Sequence, residues 1–213
     1  MNDTVSLRPA EGFVEPRVRA EFPGLRLHWV TRAARRGPSP PSLQHQLREL
    51  SSRYRGSGVI ALRTKPIPHA YRAFFRQIGL DPDVDRIPSE EVAVTRLMQG
   101  GFRSVGLIED ACLVALVETG VPVWALDADR VDAGGLGIRT TSDADRSQPI
   151  VAEPGTLVVA DASKIHALLF GEPLRDCGIG SRTQRVVLFA LAVDGVPAIH
   201  VDEALWICAE LLS

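Results

Sequence analysis

Apolar and polar positions follow two regimes along the chain: helical spacing dominates early and strand-like runs dominate late. In "LRLHWVTRA", Leu25, Leu27 and Trp29 alternate with Arg26, His28 and Val30, which predicts a first strand. His28 lies opposite the apolar set and reads as a polar strand residue rather than a ligand. Residues 1 to 24 are polar, broken by prolines, and predicted irregular or partly extended. "RRGPSPPS" is a loop, because its prolines prevent regular structure. Ser42 then caps a predicted helix over 43–55 with Leu43, Leu47, Leu50 and Tyr54 on one face. "VIALR" is a strand or a linker. A helix over 69–78 brings Tyr71, Phe74, Phe75 and Ile78 together and stops at Gly79. Ser89 is placed to cap a helix over 89–99. Glu90 and Glu91 in its first turn suit the positive end of the helix dipole, which is their structural role.

Residues 107–119, "LIEDACLVALVET", are apolar nearly all round, which predicts a buried helix ended by Gly120. Strands are then expected in "PVWALDA", "GIRTT", "PIVAE", "TLVVAD", "KIHALLF" and "RVVLFALAV", with "PAIH" as a further candidate. Asp202 caps a last amphipathic helix. Helices first and strands afterwards define an α+β architecture, a largely antiparallel mixed sheet packed with helices, on which the buried helix should lie.

Composition narrows the class without naming a function. The 213 residues are 45% hydrophobic and 23% charged, enough apolar material for one large domain or a domain with an N-terminal extension. No apolar run reaches the roughly 20 residues of a membrane-spanning helix. The start, "MNDTVSLRPAEGF", lacks a basic region leading into an apolar one, so no membrane partner and a cytoplasmic location are expected. The net charge of −2 conceals an asymmetry. Residues 1–76 hold 14 Arg or Lys against 5 Asp or Glu, and residues 77–213 hold 10 against 21. A basic segment beside an acidic body suits a phosphate backbone. It equally suits docking on the acidic half of the same chain.

Specific chemistry is sparse. There is no phosphate loop and no dinucleotide fingerprint, and "AGGLG" reads as a turn. Neither a nucleophile elbow nor a zincin histidine pair occurs. His28, His45, His69, His166 and His200 form no local cluster, so neither a metal nor a cofactor is expected. Cys112 and Cys208 sit in apolar helical patterns as small core residues. Cys177 falls in a polar loop with nothing nearby to activate it.

An ordered set of segments carries more. "YRAFFRQIGLDPDVDRIPSEEVAVTRLMQGG", "RSVGLIEDACLVALVETGVPVWALDADRV", "EPGTLVVADASKIHALLFGEP" and "RTQRVVLFALAVDG" resemble, in order and spacing, the B3/B4 domain of the phenylalanyl-tRNA synthetase β-subunit in its free-standing form. The resemblance spans about the last two-thirds of the chain. It implies a basic extension over 1–65, packed on a B3/B4-like domain over 66–213. In the synthetase that domain hydrolyses tyrosine wrongly esterified to the phenylalanine tRNA, so the resemblance implies a partner that is tRNA or aminoacyl-tRNA. Editing in trans and tRNA binding are the activities expected of free-standing relatives.

Carried over by position, Asp110 falls at the acidic site of the family's buried helix, and Gly120, Pro122, Ala125, Leu126 and Asp127 match the following segment. Trp124 stands where the family has a histidine facing the ester. Gly106 and Leu107 replace two asparagines, Leu168 replaces a glycine, and Glu172 corresponds to a tyrosine-recognising glutamate after a one-residue shift. Glu172 and His166 are thus the candidate catalytic residues. Trp124, Asp110, Gly106, Leu168 and Arg182 are candidate substrate contacts, and Arg32, Arg35 and Arg36 candidate tRNA contacts. The two bulky apolar replacements predict a pocket that is small, less polar and rejects tyrosine. Three outcomes stay open: an editing-like hydrolase, a non-catalytic binding module for a metabolite, amino acid or protein partner, and a pocket collapsed around Trp124 and Leu168. An open cavity beside Trp124, Leu168 and Glu172 would argue against collapse.

Overall fold

A computed structural model describes residues 8–54, 61–148 and 152–213. The longest strand explains the architecture. β8 (Arg185–Ala192) is apolar at every position after its first and is buried along that length, so it must be covered on both faces and both edges. β3 (Arg26–Ala33) pairs with it antiparallel over its whole length, from Arg26 opposite Ala192 to Ala33 opposite Arg185. β4 (Val123–Asp127) takes the other edge, with Trp124 opposite Phe189. β1 (Ala10–Glu11) completes a four-stranded sheet in the order β1-β3-β8-β4.

Because both edges of β8 are taken, the later hairpins build a second sheet. β2 (Phe13–Val14), β5 (Gly137–Thr140), β6 (Leu157–Ala160) and β7 (Ile165–Leu168) run in the order β2-β5-β6-β7. The β2–β5 pair is parallel and every other pairing among the described strands is antiparallel. The fold is therefore α+β, with two mostly antiparallel sheets in place of the single sheet expected. One hydrophobic core joins them, running from Leu136, Ile138 and Val159 to Val186, Leu188 and Phe189. The segment 8–33 enters both sheets, since β2 pairs in one and β1 and β3 in the other.

Helices α1 (Pro16–Glu21), α2 (Pro41–Arg53), α3 (Pro66–Gln77), α4 (Pro88–Gln99), α5 (Leu107–Thr119) and α6 (Ala198–Leu211) complete the described segments. α5 packs on β4 and against α6, which lies on β3, β4 and β8. Leu43, Leu47 and Leu50 of α2 cover Val114 of α5 in a second cluster. Gly120 ends α5 in a left-handed conformation (φ 79°), its N–H donating to the Leu116 carbonyl, a geometry that favours glycine.

Proline, rather than serine or aspartate, starts most of these helices. α2 begins at Pro41 and α4 at Pro88, so Ser42 and Ser89 lie inside the first turns and are not the N-caps; the Ser89 hydroxyl is buried without a partner among the described residues. "PAIH" forms the first turn of α6 instead of a strand, because Pro197 supplies a pre-set extended entry. Asp202 consequently lies within α6, where its carboxylate meets His28 Nδ1 of β3 at 2.7 Å. Of "VIALR", Ala61 and Leu62 are helical and residues 59–60 lie outside the described residues. Ala152 and Glu153 of "PIVAE" are irregular, and residues 149–151 lie outside as well. Arg55, at the end of the expected first helix, does too. Among the described residues no helix is long and apolar enough to cross a membrane.

Candidate functional site: an open cavity beside Trp124

Trp124 projects from β4 and stacks on Phe189 of the neighbouring strand, with centroids 5.4 Å apart and planes 17° from parallel. Phe170 meets its edge at 6.0 Å and also touches the rings of Tyr71, Phe74 and Phe75 on α3. The Phe170 backbone is left-handed (φ 63°), the sole non-glycine residue in that region among the described residues. Such a conformation costs of order 1 kcal/mol or more and persists because the aromatic cluster holds the ring. Gly171 then donates to the Leu168 carbonyl and turns the chain, which delivers Glu172 to the surface.

Next to Trp124 the fold leaves a cavity of about 550 Å³. Ile108, Leu113 and Leu116 of α5, Pro122, and Ile179 form much of its apolar wall. Glu172, Glu109 and Glu91 supply carboxylates from three elements, all on exposed side chains, and Arg86 is held 3.5 Å from Glu91. A volume of this size suits an amino-acid-sized ligand. The wall contains no histidine and no hydroxyl-bearing residue among the described residues. What it can do chemically is bury an apolar group, attract a cation, and use a carboxylate to orient or deprotonate a water.

Of the residues marked by the sequence, Trp124 and Glu172 line this cavity and the others do not. Asp110 is 1% exposed and accepts from the Ser39 and Ser104 hydroxyls, both at 2.5 Å, and from the Val105 N–H at 2.9 Å. It ties the loop before α2 to the first turn of α5. Gly106 precedes α5, where an added Cβ would meet the Glu109 carboxylate at 2.6 Å. Leu168 is 37% exposed at the end of β7, and Arg182 is exposed in the loop before β8. Arg32 lies half-buried in β3, while Arg35 and Arg36 are exposed just beyond it.

His166 is fully buried in β7, its Nε2 bonded to Asp161 at 2.9 Å. Burial lowers its pKa and outweighs the opposite pull of the Asp161 bond, so the ring is neutral at pH 7. Its Nδ1 has no partner among the described residues. Burial would raise the pKa of Asp161, but the Ser163 hydroxyl and the N–H groups of Asp132, Ser163 and Lys164 overcome it and hold the carboxyl far below the ordinary value. The His166 carbonyl accepts from the Leu174 N–H at 2.8 Å and the Cys177 thiol at 3.3 Å, fastening the segment that follows Glu172. Cys177 is therefore buried despite its polar loop, and burial pushes its thiol up to about 11.

The sequence did not mark Arg86, Glu91, Glu109, Cys112 or Phe170 as cavity residues. Glu91 read as a dipole-favouring residue of a helix start, and its convergence with Glu109 depends on how α4 and α5 pack. The helix-breaking Gly171 after Phe170 was the one local signal of an unusual turn.

The charge asymmetry is partly consumed inside the chain. Arg63 and Arg72 of the basic half bind Asp83 and Glu90 of the acidic half, and Arg72 and Glu90 do so in a buried pair at 2.8 Å. Arg35 and Arg36 stay exposed between two anchors: Ala34 donates to the Gln184 carbonyl at 3.1 Å, and Leu107 donates to the Gly37 carbonyl at 2.9 Å. The second anchor is the start of α5, whose Ile108 and Glu109 line the cavity. The basic loop and the cavity thus share one end of that helix.

Fold and site together define an α+β protein with an open, largely apolar cavity fit for a small ligand, rimmed by carboxylates. Over 129 residues, 52% of this chain, it is 32% identical to the phenylalanine–tRNA ligase beta subunit of Gloeobacter violaceus. It is 27% identical over 106 residues, 47% of the chain, to the same subunit of Hahella chejuensis. The matches span 16% and 13% of those two proteins, so the chain corresponds to a small part of each. No family model matches the chain.

Proposed function

We propose that the protein binds aminoacyl-tRNA, with the esterified amino acid in the cavity beside Trp124 and the tRNA backbone along Arg35 and Arg36. The observation that carries this reading is the open cavity at the same end of α5 as the exposed basic loop. The likeness over half the chain to a tRNA ligase subunit supports the choice of ligand. Arg32 contributes positive charge from β3, and Arg182 extends it from the facing loop.

Hydrolysis in trans then falls to a water. Glu172, on the rim, accepts a proton from that water as it attacks the ester carbonyl and returns it to the ribose oxygen, which departs as a hydroxyl as the acyl bond breaks. His166 acts from behind as a positioning residue, through the backbone carbonyl that holds the segment after Glu172. Asp110 and Gly106 shape the start of α5, and Leu168 sets the turn that carries Phe170. The apolar wall offers the tyrosine hydroxyl no uncharged partner, and burying it unpaired costs about 1–3 kcal/mol, so a smaller amino acid is preferred.

A panel of mischarged tRNAs tests the proposal. Deacylation of alanyl- or seryl-tRNA is expected to exceed that of tyrosyl-tRNA, and Trp124→His should shift activity towards tyrosine. Efficient tyrosine removal by the unaltered protein would overturn the preference. Binding should weaken with salt, since phosphate contacts release counterions, and Arg35→Glu with Arg36→Glu should flatten that slope. One observation favours a second reading, a binding module without turnover: the cavity wall holds no histidine or hydroxyl among the described residues. Retained, salt-sensitive tRNA affinity with no deacylation across the panel would select it.

A further inference from the structure

We propose that Cys112 and Cys208 form a reversible disulfide at the wall of the cavity when a hydroperoxide reaches it. Cys112, half-buried on α5, lines the cavity; Cys208, on α6, is fully buried behind it. Their sulfurs stand 3.6 Å apart on two helices that pack directly on each other. A disulfide needs about 2.05 Å between sulfurs, so closure asks for a small rotation of side chains already in contact rather than a rearrangement of the fold. The inference rests on this geometry and not on the identity of the cavity's ligand.

The order of events follows from access. A peroxide entering the cavity meets Cys112, whereas Cys208 has no exposed surface. The hydrogen bond shared with Cys112 and burial together raise the Cys208 pKa well above its ordinary value, so that sulfur begins as a neutral thiol. The Cys112 sulfur gives up its proton as it attacks one peroxide oxygen: an S–O bond forms, the O–O bond breaks, and the departing oxygen takes that proton and leaves as water (or as an alcohol from an organic peroxide). Cys208 then attacks the sulfenic sulfur: the S–S bond forms, the S–O bond breaks, and water leaves with the Cys208 proton. Two thiols lose two electrons and the peroxide gains them. Closure draws the Cys112 sulfur off the cavity wall and cross-links α5 to α6. Cys177, buried and with its thiol directed at the His166 and Leu174 carbonyls, is an internal control that takes no part.

The test treats the full folded chain with hydrogen peroxide, and in parallel with diamide, then blocks free thiols and analyses unreduced peptides by mass spectrometry. The free thiols should fall from three to one, with a peptide joining positions 112 and 208, and dithiothreitol should restore all three. Cys177→Ser should lose the same two thiols. Cys208→Ser should leave Cys112 as a sulfenic acid that a single dimedone label captures. Sulfinic acid at Cys112 of the unaltered protein without the 112–208 link would overturn the proposal. So would consumption of Cys177 ahead of the pair, or survival of all three thiols under both oxidants.

Discussion

The buried knot around Asp161 and the rim of the Trp124 cavity both bring carboxylates near an imidazole or aromatic ring, and they differ in one respect that governs what each can do. Around Asp161 every polar demand of the carboxylate is met internally: three backbone N–H groups, one hydroxyl and the His166 imidazole converge on it at full burial. Around Trp124 the carboxylates of Glu91, Glu109 and Glu172 are exposed at the rim of an open, largely apolar cavity. The first region has the residues of a catalytic pair and the accounting of a structural one. The second has little recognisable chemistry but leaves its capacity unspent. A histidine–aspartate pair marks a candidate reactive site when a substrate can reach it, and burial removes that access here.

The sharpest way to break this contrast is to remove the Asp161 carboxylate. Asp161→Ala leaves several buried donors unpaired and should lower stability by about 4 kcal/mol, measured by urea unfolding. A loss under about 1 kcal/mol would show that the knot is not structural. Trp124→Ala should rank next, at about 3 kcal/mol, because it forfeits the stack on Phe189 and the edge contact with Phe170. That value lies at the low end of the range for large-to-small aromatic substitutions, since the side chain already borders a cavity.

Acid titration separates the two regions more finely. Burial lowers the pKa of His166 in the folded chain below its ordinary 6.5, so the unfolded chain takes up the proton first. This contribution to stability is complete above about pH 6.5 and is lost as pH falls towards the folded value, at up to about 1.4 kcal/mol per pH unit. His166→Gln should flatten the pH dependence just below about 6.5, above the window in which Asp161 and the other depressed carboxyls titrate. Identical slopes for the two proteins would place the titration elsewhere. The smallest effect is expected at the rim: Glu172→Gln should change stability by less than about 0.5 kcal/mol, because the side chain is exposed. A larger loss would mean that Glu172 is held by the fold rather than left free for a ligand.

Much of the fold was legible in the residues. The apolar run of 107–119 forms a helix with those same bounds, because an all-round apolar segment ended by Gly120 has few alternatives. The strands at 26–33, 123–127, 157–160, 165–168 and 185–192 lie where alternation or β-branched runs placed them. The errors gathered at helix starts, where proline outcompeted the serine and aspartate caps expected at Ser42, Ser89 and Asp202. Asp202 was misread because its partner, His28, is 174 residues away.

Sequence by itself determined most of the helical and extended segments, because local propensity and periodic burial are written within a few residues. It also marked Trp124 and Glu172, through the order of segments around them. Tertiary structure alone decided that the strands divide into two sheets, since that depends on which edges of β8 are already occupied. It decided that Phe170 bends into a left-handed turn, because four rings from α3 and β4 converge on it. It likewise set Cys112 against Cys208, and opened a cavity where two bulky replacements had made a closed one an alternative. Whether a volume stays empty is a property of the packing of α4, α5 and the 170–179 loop against β4, and no single segment encodes it.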